Sequence, residues 1–113
     1  MQDARQVGVA HPERIRVLPV PQMPLPDDQE LRLVALQTGL LGPDIVGLTL
    51  GYGIYIRIGH QTRRLLSHEC RHVYQYERAG SIAAFLPQYL AEVAQVGYGP
   101  GSFEVDARNH EIP

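Results

Sequence analysis

The stretch Leu65–Gly80, LLSHECRHVYQYERAG, decides the fold of this chain and carries its most informative motif. Its apolar residues recur at helical spacing, and a glycine typically follows the last residue of a helix. The sequence therefore predicts a helix from about Thr62 to Ala79. On a helical wheel, His68 and His72 share a face that lies between an apolar face and an arginine-rich face. The helix is thus expected to present two imidazoles, one turn apart, at the border between core and solvent.

His68, Glu69 and His72 form an H-E-x-x-H motif within this helix. Side chains at positions i and i+4 point the same way, so both imidazoles can reach one metal ion, while Glu69 lies to the side and can reach water at that ion. A divalent ion lowers the pKa of its water from 15.7 to about 7. Glu69 could then accept the proton of that water as a general base in peptide hydrolysis. Zinc suits two histidines and a carboxylate best. The alternative interpretation is structural: two ordinary histidines beside a carboxylate that forms an ion pair.

A catalytic zinc site needs a third protein ligand and one open position. The longer motif with a downstream glycine and third histidine is excluded, because Gln75 and Arg78 occupy those positions. The sequence favours Glu104, which lies in an E-x-x-A pattern at the start of a short helix, after a glycine-rich loop that lets this helix fold back. Glu92 on the preceding helix remains open as the alternative. The other acidic or imidazole candidates are Glu77, which faces away from the imidazoles, and Asp106, His110 and Glu111.

The remaining pattern predicts strands before the motif and helices after it. Apolar residues alternate from Ile45 to Ile58, a length too great for one strand in a domain of this size. A hairpin of Gly47–Leu50 and Ile54–Ile58, with a Gly-Tyr-Gly turn, accounts for the pattern. The other expected elements are a strand at about Glu13–Val20, a proline-rich extended segment at Val17–Pro26, a helix from an Asp27–Asp28 cap to about Leu41, a helix from a Ser81 cap to about Val96 that Pro87 kinks or restarts, and a helix over Phe103–Asn109 capped by Ser102.

Length and composition indicate a single domain over residues 1–113. The chain has 113 residues, a formal net charge of −2 and 44% apolar residues, with no run of 18 apolar residues. We therefore expect no membrane span and no nucleic-acid partner. Cys70 is the single cysteine, and the N-terminus does not have the pattern of a secretory signal. Both features favour a cytoplasmic location.

The H-E-x-x-H helix, the helix that follows it and the segment FEVDAR together resemble the gluzincin metallopeptidases, and the small size resembles the minimal members called minigluzincins. The resemblance implies an α+β, zincin-like domain with a three-stranded, mostly antiparallel sheet, an active-site helix and a later glutamate helix. It also implies a substrate cleft along the edge strand of the sheet. By this likeness His68, His72 and Glu104 are zinc ligands and Glu69 is the general base. Arg108 departs from several gluzincin branches, which have an acidic or amide residue at that position.

The predicted site is compatible with three functions. The leading hypothesis is a zinc-dependent peptidase acting on a peptide or protein. A related hypothesis is that the enzyme is latent, with Val17–Pro26 or Asn109–Pro113 lying over the cleft. The second is a non-catalytic, zinc-binding interaction module on the same scaffold, and the third is a metal-free helical adaptor. The candidate donors to the oxyanion of the reaction are Tyr98, His110 and Tyr76, and the loop position of Tyr98 favours it among the three.

Overall fold

The computed structural model describes residues 2–21, 46–97 and 101–113 of the chain. Within these ranges the chain forms three strands and four α-helices, which confirms the α+β class. The predicted helix from Asp27 to Leu41 and residues 22–26 of the proline-rich segment lie outside the described residues. The elements are α1 (Gln2–Gln6), a 3₁₀ turn (Pro12–Arg14), β1 (Arg16–Val20), β2 (Gly47–Leu50), β3 (Gly53–Arg57), α2 (Arg63–Ala79), α3 (Ile82–Val96) and α4 (Ser102–Asn109).

The three strands form a mixed sheet in the order β1-β3-β2. The hairpin partners β2 and β3 are antiparallel, as expected, but β1 runs parallel to β3. The mostly antiparallel sheet that we expected is therefore not observed. A tight turn fixes the direction of β2 relative to β3, whereas no local signal fixes the direction of a strand that is distant in sequence.

The strand boundaries differ from the expected ones by a few residues. The strand expected from Glu13 begins only at Arg16, because Pro12–Arg14 forms a 3₁₀ turn with the proline at its start. The hairpin turn requires glycine at Gly51, whose φ is +62°. Positive φ at the first turn position is typical of two-residue hairpin turns.

The glycine that ends α2 and the cap of α3 are those predicted from the sequence, whereas Thr62, expected as the first residue of α2, is its N-cap. Thr62 Oγ1 accepts a hydrogen bond from the backbone N–H of Leu65, and Gly80 ends α2 in the left-handed conformation with φ of +102°. Ser81 caps α3, which continues through Pro87 as one helix. The predicted cap of α4 is wrong, since Gly101 is the residue before the helix and Ser102 is its first helical residue.

The described residues form two apolar core clusters, and α2 contributes to both. The first joins the sheet, the N-terminal segment and one side of α2, and the second joins α2 to α3 and α4. This places α2 at the centre of the domain. The first cluster contains Ala4, Val7, Val9, Ile15, Ile54, Ile56, Cys70, Val73 and Ile112. The second contains Tyr76, Phe85, Tyr89, Leu90 and Val93.

None of the helices described in the structure combines the length and the apolar character needed to cross a membrane.

Candidate metal centre

Three side chains with metal-ligating atoms converge on α2: His68, His72 and Glu104. The two imidazoles lie one turn apart, with ring centroids separated by 5.0 Å. The carboxylate of Glu104 bridges them, because Oε1 lies 3.2 Å from Nε2 of His68 and Oε2 lies 2.6 Å from Nε2 of His72. All three side chains are buried. Among the described residues, this is the single group of three or more such side chains whose ligating atoms all lie within 4.8 Å.

Glu104 reaches the imidazoles because α4 packs against α2, and Glu92 fixes the start of α4. One oxygen of Glu92 accepts a hydrogen bond of 2.6 Å from Ser102 Oγ, and the other accepts one of 3.1 Å from the backbone N–H of Phe103. The first N–H groups of a helix have no partner within the helix, so this carboxylate satisfies one of them. A Cβ at Gly101 would lie 2.9 Å from Glu92 Oε1, so the close approach also requires glycine there. Glu92, the alternative third ligand, thus holds the glutamate helix and does not join the cluster.

The other acidic and imidazole candidates also lie outside the cluster. Glu77 accepts hydrogen bonds from the backbone N–H groups of Ala10 and His11 and from the hydroxyl of Tyr52. It therefore ties the N-terminal segment and the hairpin turn to α2. His110 Nδ1 lies 2.8 Å from the backbone oxygen of Asp106.

Two further side chains orient the imidazoles from behind. Glu111 Oε2 accepts a hydrogen bond of 2.8 Å from Nδ1 of His68. Gln75 Oε1 accepts one of 2.8 Å from Nδ1 of His72, because the amide nitrogen of Gln75 is committed to Asp106 and to the backbone oxygen of Phe103. Each ring is thereby fixed with Nδ1 protonated and Nε2 turned toward Glu104, which is the arrangement that outer partners impose on metal-binding histidines.

Sequence reasoning placed neither of these partners. Glu111 and Asp106 were both expected among the candidate metal ligands. Asp106 instead binds Arg71 through both carboxylate oxygens, at 2.8 and 3.2 Å. The position of Gln75, three residues after His72 on the same helix, is a signal that could have identified it.

The charges around the cluster shift the pKa values of its members. Burial alone would lower the pKa of His68, but the carboxylates of Glu104, Glu69 and Glu111 raise it to about 9. The pKa of His72 is raised for the same reason, by Glu104 and Glu69 against the effect of burial. The pKa of Glu104 is held far below its usual value, because its hydrogen bonds to the two imidazoles outweigh its burial.

The donor set fits a divalent cation such as zinc. Two imidazole nitrogens and one carboxylate oxygen are the ligands of catalytic zinc sites, in which ligand atoms lie about 2.0–2.2 Å from the metal and therefore about 3.3–3.5 Å from each other. The separation of 3.2 Å between His68 Nε2 and Glu104 Oε1 is close to that value, whereas the 2.6 Å between His72 Nε2 and Glu104 Oε2 is shorter. A cation at this place would replace the direct contacts between Glu104 and the two imidazoles.

Glu69 lies beside the cluster without belonging to it. Its Oε1 accepts a hydrogen bond of 2.8 Å from the hydroxyl of Thr49, and its Oε2 lies 4.0 Å from Nε2 of His68. Burial raises the pKa of this carboxyl, although the two histidines and the hydroxyl partly oppose the shift. A buried carboxylate with a raised pKa, close to the place where a metal would lie, has the properties required of a general base.

Two cavities flank the cluster. One of about 310 Å³ lies between Gly47 of β2, the His68 side of α2, and Arg108 and Glu111. The other has about 30 Å³ and is lined by Glu69, His72, Tyr76 and Tyr89 among others. Space therefore exists on both sides of the imidazole pair.

Tyr89, which sequence reasoning missed, brings a hydroxyl to the ligand set. It donates a hydrogen bond of 3.2 Å to Glu104 Oε2, and the ring packs edge-on against His72. Tyr76, one of the expected donors, instead donates to the backbone oxygen of Thr49 at 3.0 Å. Tyr98 lies outside the described residues. Tyr89 carried no sequence signal, because it occupies an apolar face of α3 that also suits simple core packing.

The described parts of the two segments expected as covers for the cleft, Val17–Pro26 and Asn109–Pro113, lie in different parts of the fold. Residues 17–20 belong to β1, at the opposite edge of the sheet from β2. Residues 109–113 run beside α2: the backbone N–H of Ile112 donates to Ser67 Oγ at 2.7 Å, and the Ile112 side chain is buried in the first core cluster. This anchor brings Glu111 to the Nδ1 side of His68, away from Glu104.

No protein-family model, curated protein or solved structure matches this chain.

Proposed function

We propose that this chain is a zinc-dependent peptidase with a gluzincin-type, zincin-like site. The observation that carries the proposal is the convergence of His68, His72 and Glu104 from two helices, with Glu69 4.0 Å from one of the imidazole nitrogens. His68, His72 and Glu104 would hold the ion. Zinc in such a site supplies Lewis acidity toward the substrate carbonyl and lowers the pKa of water.

The side chains around the cluster supply the remaining steps. Glu69 accepts a proton from the attacking water and passes it to the amine that leaves. Tyr89 is close enough to the ligand set for its hydroxyl, once released from Glu104, to donate a hydrogen bond to the oxygen of the reacting carbonyl. Gln75 and Glu111 keep the imidazoles in place while the charges change.

The proposed substrate is an extended peptide. In the described sheet, β2 pairs with β3 on one side, and its residues Gly47 and Thr49 line the cavities beside the cluster. An extended peptide can add to the free edge of a strand through backbone hydrogen bonds. Such a peptide would run past Glu69 and His72. We place this reaction in the cytoplasm, where the buried thiol of Cys70 remains reduced.

One observation favours a second candidate, a zinc-binding module without catalysis. The three ligands are exposed by only 8%, 6% and 1% for His68, His72 and Glu104, as in sites that serve stability. Structural zinc sites, however, have four protein ligands, and the described residues provide three with a cavity alongside. The balance supports the peptidase.

Metal analysis combined with a hydrolysis assay tests both candidates. We expect about one zinc per chain and cleavage of an unfolded protein substrate that stops when the metal is chelated. Glu69→Gln should retain zinc and lose hydrolysis, because it removes the proton acceptor and no ligand. Zinc binding without any cleavage across a broad peptide library would favour the module, and no zinc binding would eliminate both.

A further inference from the structure

Strand β2 contacts the carboxylate of Glu69 through Thr49. The hydroxyl of Thr49 is 2.8 Å from Glu69 Oε1 and 3.2 Å from the backbone oxygen of Glu69. A hydroxyl has one proton to donate, and a carboxylate is the stronger acceptor, so the shorter contact takes it. Both residues are buried, which makes this the kind of hydrogen bond that fixes a side chain.

The other oxygen of the same carboxylate faces the cluster. Glu69 Oε2 lies 4.0 Å from Nε2 of His68. A Cβ at Gly47 would lie 3.0 Å from Oε2 and 3.1 Å from the carboxylate carbon, so a side chain at this position would displace the group. Thus the Thr49 hydroxyl of β2 holds Oε1 of Glu69, and the lack of a side chain at Gly47 leaves space for Oε2.

The strand is itself held to the same helix at Thr49. The buried hydroxyl of Tyr76 donates to the backbone oxygen of Thr49 at 3.0 Å. Because Tyr76 and Glu69 both belong to α2, Thr49 is connected to this helix through its backbone and through its side chain. Movement of the strand would therefore move the point that holds the carboxylate.

We propose that Thr49 is a positioning residue for the general base: its hydroxyl anchors Oε1 of Glu69 so that Oε2 points at the metal-binding cluster. The proposal rests on the proposed peptidase function for its kinetic consequence, but the orientation of Glu69 can be measured independently. The side-chain and backbone hydrogen bonds described for Thr49 outside the sheet join it to Glu69 and Tyr76, so its loss should leave metal affinity intact.

The test compares Thr49→Val, which removes the hydroxyl at nearly constant shape, with Thr49→Ser, which retains it. In the zinc-loaded full chain, Thr49→Val should lower kcat roughly 10- to 100-fold, the effect expected for a misplaced catalytic group. KM and zinc affinity should stay within about threefold of wild type. Thr49→Ser should recover most of the lost kcat.

Tyr52→Phe is the matched control. The Tyr52 hydroxyl also joins the sheet region to a glutamate of α2, at 2.7 Å from Glu77 Oε2, but far along the helix from the cluster. Its loss should lower stability by a similar amount and leave kcat unchanged. An equal fall of kcat in Tyr52→Phe and Thr49→Val would show a general effect of loosened packing and overturn the proposal.

The side-chain rotamer of Glu69, measured by NMR three-bond couplings with and without zinc, separates the two proposals. We expect one rotamer in wild type and Thr49→Ser, and averaging in Thr49→Val. If wild type hydrolyses nothing, the peptidase fails and the rotamers alone decide the role of Thr49. An unchanged rotamer in Thr49→Val overturns the positioning role whatever happens to kcat. Should Thr49→Val not fold, Thr49→Ala removes the same hydroxyl, and an unchanged rotamer of Glu69 in that variant overturns the role equally.

Discussion

His68 and His72 both turn Nε2 toward Glu104 from one helix, yet chemically different groups bind the Nδ1 atoms of the two rings. His68 donates to the carboxylate of Glu111, which lies 43 residues away in the segment after α4 and is 27% exposed at its side chain. His72 donates to the amide of Gln75, a buried neighbour one turn along the same helix. Both contacts are 2.8 Å long.

This difference distinguishes the effect of ring orientation from the effect of a charge behind the ring. Both partners fix the same ring nitrogen as a donor and turn the other toward Glu104. Only Glu111 adds a full negative charge behind its imidazole, which contributes to the raised pKa of His68. One side of the site therefore depends on a segment anchored by Ile112, and the other depends on contacts between α2 and α4.

Removal of the ligand that both sides share should have the largest effect. Glu104→Ala should weaken zinc binding roughly 10²- to 10⁴-fold, since one of three protein ligands carries about a third of a binding free energy of ~10–16 kcal/mol. Competition with a fluorescent zinc chelator measures this affinity. Glu92→Ala is the control: it should cost about 0.5–2 kcal/mol of stability through loss of a helix cap and weaken zinc binding far less. The reverse order would show that Glu92 is the ligand.

Loss of the charged partner should have the next largest effect. Glu111→Ala should weaken zinc binding by about 10- to 100-fold, the range for partners that orient metal-binding histidines. Glu111→Gln puts an amide in place of the carboxylate behind His68, as Gln75 does behind His72. The zinc affinity of this variant should lie between those of Glu111→Ala and wild type. Equal affinities for Glu111→Ala and wild type would show that the contact with His68 does not matter for the metal.

Loss of the neutral partner should have a smaller effect on the metal and a clear effect on stability. Gln75→Ala should weaken zinc binding by about tenfold, at the low end of the same range, because ring orientation is lost but no charge is removed. It also leaves Asp106 and the Phe103 carbonyl without the Gln75 amide, which should cost about 1–3 kcal/mol. Thermal unfolding measures the second effect. Gln88→Ala, which removes an amide on the exposed side of α3, should change neither property.

Sequence reasoning identified the residues whose signal is local. The spacing of His68 and His72, the end of α2 at Gly80, the cap Ser81 and the hairpin at β2 all follow from short-range geometry, and the structure has them where they were expected. The proximity of Glu104 to the imidazoles was also expected, because the glycine-rich loop before its short helix lets that helix fold back.

The interactions that sequence reasoning missed are long-range. The direction of β1, the place of Glu111 behind His68 and the contact of Tyr89 with Glu104 join residues on different elements. No periodicity or spacing encodes such pairs. Glu92 shows the same point from the other side: a carboxylate on a suitable helix became a cap, because Ser102 and Phe103 lie closer to it than the imidazoles do.

The smallest expected effect is in the protons released when metal binds. Each imidazole has both nitrogens in contact with acceptors, and the pKa of His68 is about 9, so this ring is protonated at neutral pH before metal binds. Zinc must displace that proton, and zinc affinity should therefore rise as the pH increases from about 6.5 to about 9.

Glu111→Gln removes one cause of the raised pKa of His68, so at about pH 8 fewer rings are protonated beforehand. Calorimetry in buffers of different ionisation enthalpy should then find a fraction of a proton less released by Glu111→Gln than by wild type, whereas Gln75→Ala, which changes no charge, should release as many as wild type. Equal release from all three proteins would mean that the charge of Glu111 does not reach His68, and that the two sides of the site differ in position but not in electrostatics.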